Sequence, residues 1–287
     1  MEEGRPHTLT SVTETASTGQ TLFTYDYDEA GNTTHRIEAA DEYTFTWNAE
    51  GRLAAAQSPS GETSFVYSSQ NEKLIKNSPG ENTLYLPGTE VRLDTLTGQV
   101  SATRYYDQGG TRVAMRDTDG VTFLGNDHHG TANTAITAST DQNRTRRFTP
   151  FGSQRGDEEP WPDDKGFLGK AVDEALGIIH VGAREYDPIS GRFLSDDPVL
   201  DFEDSQQING YAYANNTPVV ASDPNGLMLA GCHCSSGTVP HGGGTSSNQG
   251  GGGSGGSGPI SPPLWIEGNY HGAYISTIAD YRITHNQ

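Results

Sequence analysis

The sequence predicts an all-β protein: hairpin repeats forming a curved or spiral sheet, closed by a turn-rich plug, then a glycine-rich linker and a short tail. Three observations carry this. An aromatic and turn motif recurs through the N-terminal third at a period of about 20 residues, the length of a stacked hairpin unit. The composition is turn-dense and aromatic, with 36 glycines, 13 tyrosines and 32% apolar residues, which suits strands and tight turns better than helices. Finally, no stretch shows extended amphipathic helical patterning; the nearest, residues 174–181, is short and interrupted by Gly177.

The repeat begins as Tyr25-x-Tyr27-Asp28-x-x-Gly31-Asn32. It recurs as Phe45-x-Trp47-Asn48-x-x-Gly51-Arg52, and more weakly as Phe65-x-Tyr67-Ser68-x-x-Asn71-Glu72. Aromatics at i and i+2 share one face of a strand, and Asp or Asn with Gly three residues on makes the turn. Each unit is a hairpin of two strands of about six residues. Such a hairpin cannot bury a face alone and must stack on its neighbours. Tyr85 and Tyr105 keep the spacing while the turn signature fades. The expected organisation is hairpin repeats over 1–80, a core module over 81–227 whose stretch 160–227 closes the sheet, and a linker with tail over 228–287.

The closing stretch contains three Asp-Pro pairs, Asp187-Pro188, Asp197-Pro198 and Asp223-Pro224. Proline biases the residue before it towards extended or turn geometry, so each aspartate sits where the chain changes direction. Arg192-Phe193-Leu194 and Gly210-Tyr211-Ala212-Tyr213 read as short strand pieces with aromatic anchors. The residues alone favour a compact cap whose carboxylates accept backbone hydrogen bonds. A chemical role needs two carboxylates brought together, one holding a proton while the other polarises water.

Several separated motifs agree in order with a known family: the repeat; Tyr105-Tyr106-Asp107-Gln108-Gly109-Gly110; Asp127-His128-His129-Gly130; Pro150-Phe151-Gly152; Gly166-Phe167-Leu168-Gly169-Lys170; and the block from Arg184 to Met228. Over roughly residues 20–227 the chain resembles Rhs/YD-repeat proteins, in the C-terminal part of the Rhs repeat-associated core of polymorphic toxins and Tc toxin C components. The resemblance implies a partial shell enclosing a C-terminal effector and carrying a single-turnover aspartic autoprotease. Its dyad falls on Asp197 and Asp223, its assisting arginine on Arg184, and the cut between Leu227 and Met228. The competing expectation is the same fold with an inert dyad, a non-enzymatic scaffold or cell-surface interaction module.

Net charge is −19, from 18 basic against 37 acidic side chains, which disfavours nucleic-acid binding. The two cysteines, Cys232 and Cys234, lie past the expected cut; with His233 and His241 they match no common zinc pattern. Asp127-His128-His129 is read as a turn, and Asp201, Glu203 and Asp204 as a solvated loop. No cofactor or metal is expected. Ten of the seventeen residues from Gly242 to Gly258 are glycine, the composition of a flexible linker. The tail beyond it, from Ile260, matches no recognisable toxin and reads as a truncated, displaced or vestigial effector segment. Neither a signal peptide nor a membrane-length apolar run is present. The expectation is export by a dedicated system to the cell surface or medium, or residence in the cytoplasm for an orphan fragment. The expected partners are the chain's own C-terminal segment, an immunity protein, and a secretion system or upstream repeats.

Overall fold

The structure, a computed structural model, describes residues 7–16, 19–70, 72–156, 160–199, 208–227 and 230–231. Contacts divide the chain into two units, Met1–Ser235 and Ser236–Gln287. The second, with the linker and tail, lies outside the described residues, as do Asn71, Asp201, Glu203, Asp204, Met228, the two cysteines, His233 and His241.

Fourteen antiparallel strands, from Ser11–Ala16 to Gln142–Thr145, form one sheet in strict sequence order. The sheet is an open meander and runs past residue 80 without interruption. After it, Val172–Asp173, Ile178–Val181, Arg184–Asp187 and Arg192–Phe193 make a second, four-stranded sheet within the plug. Among the described residues the only helical turns are two short 3₁₀ segments, Phe167–Gly169 and Tyr213–Asn216.

The repeat motif builds the sheet as its residues dictate. Asp28 Oδ1 accepts the Asn32 N–H at 2.8 Å, Asn48 Oδ1 that of Arg52 at 2.9 Å, and Ser68 Oγ that of Glu72 at 3.2 Å. The first aromatic of each pair, Tyr25, Phe45 or Phe65, is buried. The second uses its polar tip to tie back to an earlier strand: Trp47 Nε1 donates to the Thr33 carbonyl at 2.7 Å and the Tyr67 hydroxyl to the Leu53 carbonyl at 2.9 Å. That is why Trp and Tyr, which combine an apolar body with a donor, suit this position.

Contacts with the plug show that the sheet curls. The Tyr25 hydroxyl, on the second strand, donates to Asp187 at 3.0 Å, while the Thr131 hydroxyl, beside the thirteenth, accepts the Leu168 N–H at 2.9 Å. Eleven strand spacings would separate those strands by about 50 Å in a flat sheet. Yet the rings of Tyr186 and Phe167, next to the two contacted residues, lie 6.1 Å apart. The plug therefore sits on the concave face. Phe45, Leu53, Ala56 and Phe65 of the sheet form one buried cluster with Leu176, Ile178 and Leu194 of the plug.

Gly210–Tyr213 departs from the expected strand piece. Only Ala212 makes a bridge, to Arg192. The chain then coils, because Ala214, Asn215 and Asn216 take φ of 49°, 51° and 57°, the left-handed region that asparagine tolerates.

Candidate functional site

Arg184, Asp197 and Asp223, expected to act together, meet in the plug. Arg184 Nη2 contacts Asp197 Oδ2 at 2.8 Å and Asp223 Oδ2 at 3.1 Å, so one guanidinium nitrogen bridges both carboxylates. Nη1 donates to the Gly210 carbonyl at 2.6 Å. The guanidinium lies over the Phe193 ring, 3.6 Å from its centroid, a cation–π seat that holds it flat. Arg184 Nε is buried without a hydrogen-bond partner among the described residues.

Local sequence explains the convergence. Arg184 opens a strand paired with Ile178–Val181, and the two-residue Gly182-Ala183 connection lets the hairpin reverse with Gly182 at φ +56°. The Asp223-to-Leu227 turn packs on that connection: the Ala183 N–H donates to the Asn225 carbonyl at 2.8 Å. A Cβ on Gly226 would lie 2.4 Å from the Val181 carbonyl oxygen and 3.1 Å from the Arg184 nitrogen, so only glycine fits there. Asp223 Oδ1 accepts the Leu227 N–H at 3.1 Å, and Asn225 Oδ1 shares it at 3.0 Å. The residue before the expected cut is thus hydrogen-bonded to one member of the pair. Met228 lies outside the described residues.

Asp223 and Arg184 are buried, and Asp197 is partly exposed. Burial pushes the Asp197 carboxyl above its usual range, against the pull of Arg184 and of the Val199 N–H. Burial lowers the pKa of Arg184, with Asp197 and Asp223 acting in the opposite direction. Such an arrangement has two chemical capacities. It holds a carboxyl poised to carry a proton beside a second carboxylate, and it places a cation where negative charge gathers.

The third Asp-Pro aspartate, Asp187, goes elsewhere: it is fully buried, accepts the Tyr25 hydroxyl, and faces Arg36 of the sheet at 4.0 Å. Asp127-His128-His129 forms a turn between two sheet strands, with Asp127 Oδ1 accepting the Thr131 N–H at 2.9 Å. No cluster of three or more metal-ligating side chains occurs among the described residues. Sequence reasoning missed a buried charge cluster behind Arg184: Glu185 with His180 Nδ1 at 2.8 Å and Lys73 Nζ at 3.6 Å, and Asp173 with Lys76 at 3.6 Å.

Comparisons agree with this architecture. The Teneurin YD-shell family matches residues 94–219. The tRNA nuclease WapA of Bacillus subtilis is 28% identical over 228 residues, 70% of this chain but 9% of that protein. Toxin subunit YenC1 of Yersinia entomophaga is 26% identical over 218 residues, 64% of this chain and 22% of that protein. A crystal structure of TcdB2-TccC3 without its hypervariable C-terminal region superposes with a TM-score of 0.54 at 19% identity, covering 72% of this chain and 13% of that one. The Tc holotoxin pore of Photorhabdus luminescens gives 0.55 at 18% identity over 77% of this chain and 14% of that one. A long meander of hairpins curled around a turn-rich plug is the YD-shell-like fold that these comparisons share. With the family match confined to residues 94–219 and these relatives at 26–28% identity, the chain is similar to Rhs/YD-repeat proteins. It spans about a tenth to a fifth of the length of these curated relatives.

Proposed function

We propose that the chain is the closing end of a toxin-type Rhs shell and that it cuts itself once, between Leu227 and Met228, to free the segment that follows. One observation carries this reading: a single guanidinium nitrogen bridges two carboxylates, and one of those carboxylates holds the backbone of Leu227. The substrate is delivered by folding, which converts a bimolecular encounter into a positioned one. In the reaction, water adds to the Leu227 carbonyl carbon and gives its proton to one carboxylate. The peptide C–N bond then breaks, and the Met228 nitrogen takes a proton from the other. Asp197, whose proton burial favours, suits the donor role. Arg184 keeps the pair from repelling by bridging both carboxylates with one nitrogen.

The plug already covers the concave face of these strands through the contacts of Tyr25, Phe45, Phe65 and Thr131. Enclosure of an effector therefore requires shell beyond this sheet. On this reading the partners are the released segment, an immunity protein that neutralises it, and a secretion system or upstream repeats. Export by a dedicated system is part of this reading, supported by the similarity to toxin subunit YenC1. No helix among the described residues is long and apolar enough to cross a membrane.

The same site favours a second reading, an inert structural clasp, because Asp197 Oδ1 and Asp223 Oδ1 already accept the Val199 and Leu227 N–H groups. Intact mass and N-terminal sequencing of the purified chain separate the two. A fragment beginning at Met228, absent from Asp197→Asn and Asp223→Asn, supports self-cleavage. An uncut wild-type chain under native conditions supports the clasp. Acid lysis of Asp-Pro bonds gives a different product, with Pro198 or Pro224 first.

A further inference from the structure

Strand Arg184–Asp187 is buried at all four positions, and its side chains divide by parity. Arg184 and Tyr186 face the plug interior, where Arg184 meets the aspartates and Tyr186 packs among Phe167, Phe193 and Tyr213. Glu185 and Asp187 face the main sheet, where each meets an inward-facing cation from a different hairpin: Lys73 at 3.6 Å from Glu185, Arg36 at 4.0 Å from Asp187. The strand that presents the arginine is therefore docked on the sheet by two carboxylates on its back. Glu185 is the better defined of the two. His180, its cross-strand partner, contacts it at 2.8 Å, and Lys73 also lies over the Phe65 ring at 4.2 Å. Arg52 of the sheet donates to the Gly182 carbonyl at 3.0 Å, at the turn of the same hairpin.

We propose that Glu185 is a positioning residue for self-cleavage: by pairing with Lys73 of the sheet and His180 of its own hairpin, it fixes the strand that presents Arg184 to Asp197 and Asp223, so the cut depends on docking of that strand on the shell. The inference rests on the reading that the chain cuts itself. Its physical basis is the cost of a buried charge left without its partner. Removing Glu185 strands the Lys73 ammonium, and removing Lys73 strands the carboxylate; either strand-to-sheet contact then relaxes towards water. A displacement of about 1 Å at Arg184 is enough to cost on the order of 100-fold in a positioned reaction.

The test follows the rate at which the full chain yields the Met228 fragment, well below its melting temperature. The variants are Glu185→Gln, Lys73→Met, their combination, and Met115→Ala. Met115 is fully buried in a separate cluster with Tyr105 and Leu124, so its truncation destabilises the shell away from this strand. The expected result is at least a tenfold loss of rate in each charge variant and less than threefold in Met115→Ala. The double variant should be no slower than the slower single one, because the two side chains act through one contact. Wild-type rates in Glu185→Gln, multiplying effects in the double variant, or an equal loss in Met115→Ala would each overturn the inference while leaving self-cleavage standing. An uncut wild type removes the underlying reading instead. Should Glu185→Gln give no soluble chain, Lys73→Met against Met115→Ala decides on the same thresholds.

Discussion

Replacing Arg184 with leucine probes the site whether or not it cuts. The substitution keeps an apolar stem over Phe193 but removes the cation from between Asp197 and Asp223, and also the donor at 2.6 Å from the Gly210 carbonyl. Breaking a buried charge pair from one side costs about 3–5 kcal/mol. For a unit of this size each kcal/mol lowers the melting temperature by about 2–4 °C, so the expected loss at pH 7 is about 6–20 °C. The pH dependence supplies the sharper check. Burial raises the Asp197 carboxyl above its usual range while Arg184 opposes that rise. A raised folded-state pKa means that the stability Asp197 contributes is present below its unfolded value and lost as pH rises through the folded value. Without Arg184 the opposition is gone, the rise is larger, and the loss at neutral pH is greater. The gap between variant and wild type should therefore narrow as the pH falls through the carboxylate range, to about pH 4.5. The assay is thermal melting of both proteins, followed by near-UV circular dichroism, at the two pH values. A loss below about 1 kcal/mol at pH 7, the scale of an exposed pair, would refute the picture of a buried bridging guanidinium. So would a gap that stays constant with pH.

Two further expectations follow from neighbouring geometry. Gly226→Ala forces a Cβ to within 2.4 Å of the Val181 carbonyl oxygen at a φ of +71°; the turn must move, so the melting temperature should fall by several degrees and any cut slow at least tenfold, read by calorimetry and intact mass. The Glu185 cluster should make stability fall in two steps on acidification. Burial, with Lys73 second, lowers the His180 pKa below 6.5, so the neutral ring's contribution is present above the unfolded value and lost as pH falls below it. Burial pushes Glu185 up, but Lys73 and His180 outweigh it and bring it from 4.5 to about 2, so its contribution is lost only between those values. His180→Phe should abolish the upper step in a urea-melt series and leave the lower one; an unchanged upper step would assign it to another group.

The fold was legible because its units are local. Aromatic pairs followed by Asp-x-x-Gly specify a hairpin within one period, and hydrogen bonds such as Asp28 to Asn32 are made by residues four apart. The full extent of the sheet was not legible from the aromatic pairs, because the hairpin that ends in Asp127 keeps the turn and replaces both aromatics, with Leu124 and Asn126. Asp127-x-x-Gly130 makes the same bonds as Asp28-x-x-Gly31, with the Thr131 N–H on Asp127 Oδ1 at 2.9 Å. Thr149-x-x-Gly152 does so with Ser153 on its hydroxyl at 3.1 Å. At the tie-back position, Asn126 replaces Trp47 and Tyr67, donating to the Arg112 carbonyl at 2.6 Å. Aligning on the turn rather than on the rings would have extended the repeat to residue 153. The inward-facing cations Arg36, Lys73 and Lys76, the first buried and the lysines half-buried, gave no such signal. A lysine on a strand reads as solvent-facing, and its carboxylate partners lie about a hundred residues away.

The Asp-Pro pairs show why turn chemistry alone could not pick out the site. All three aspartates accept a following backbone N–H: Asp187 from Ile189 at 2.9 Å, Asp197 from Val199 at 2.8 Å, Asp223 from Leu227 at 3.1 Å. The bland reading is therefore true of every one of them. What separates them is the cation. Asp187 faces Arg36, a residue of the sheet, and also takes the Tyr25 hydroxyl, so it serves the seam between sheet and plug. Asp197 and Asp223 share Arg184, a residue of the plug itself, and that sharing draws two turns 26 residues apart onto one nitrogen. A carboxylate that caps a turn is common in any β-rich protein. Two of them capping their turns from the same guanidinium, with the chain's next backbone N–H on one, is the arrangement in which a structural clasp and a cutting site use the same atoms. The Asn substitutions at Asp197 and Asp223 distinguish the two because an amide can still accept the backbone N–H but can neither carry the charge that Arg184 requires nor move a proton.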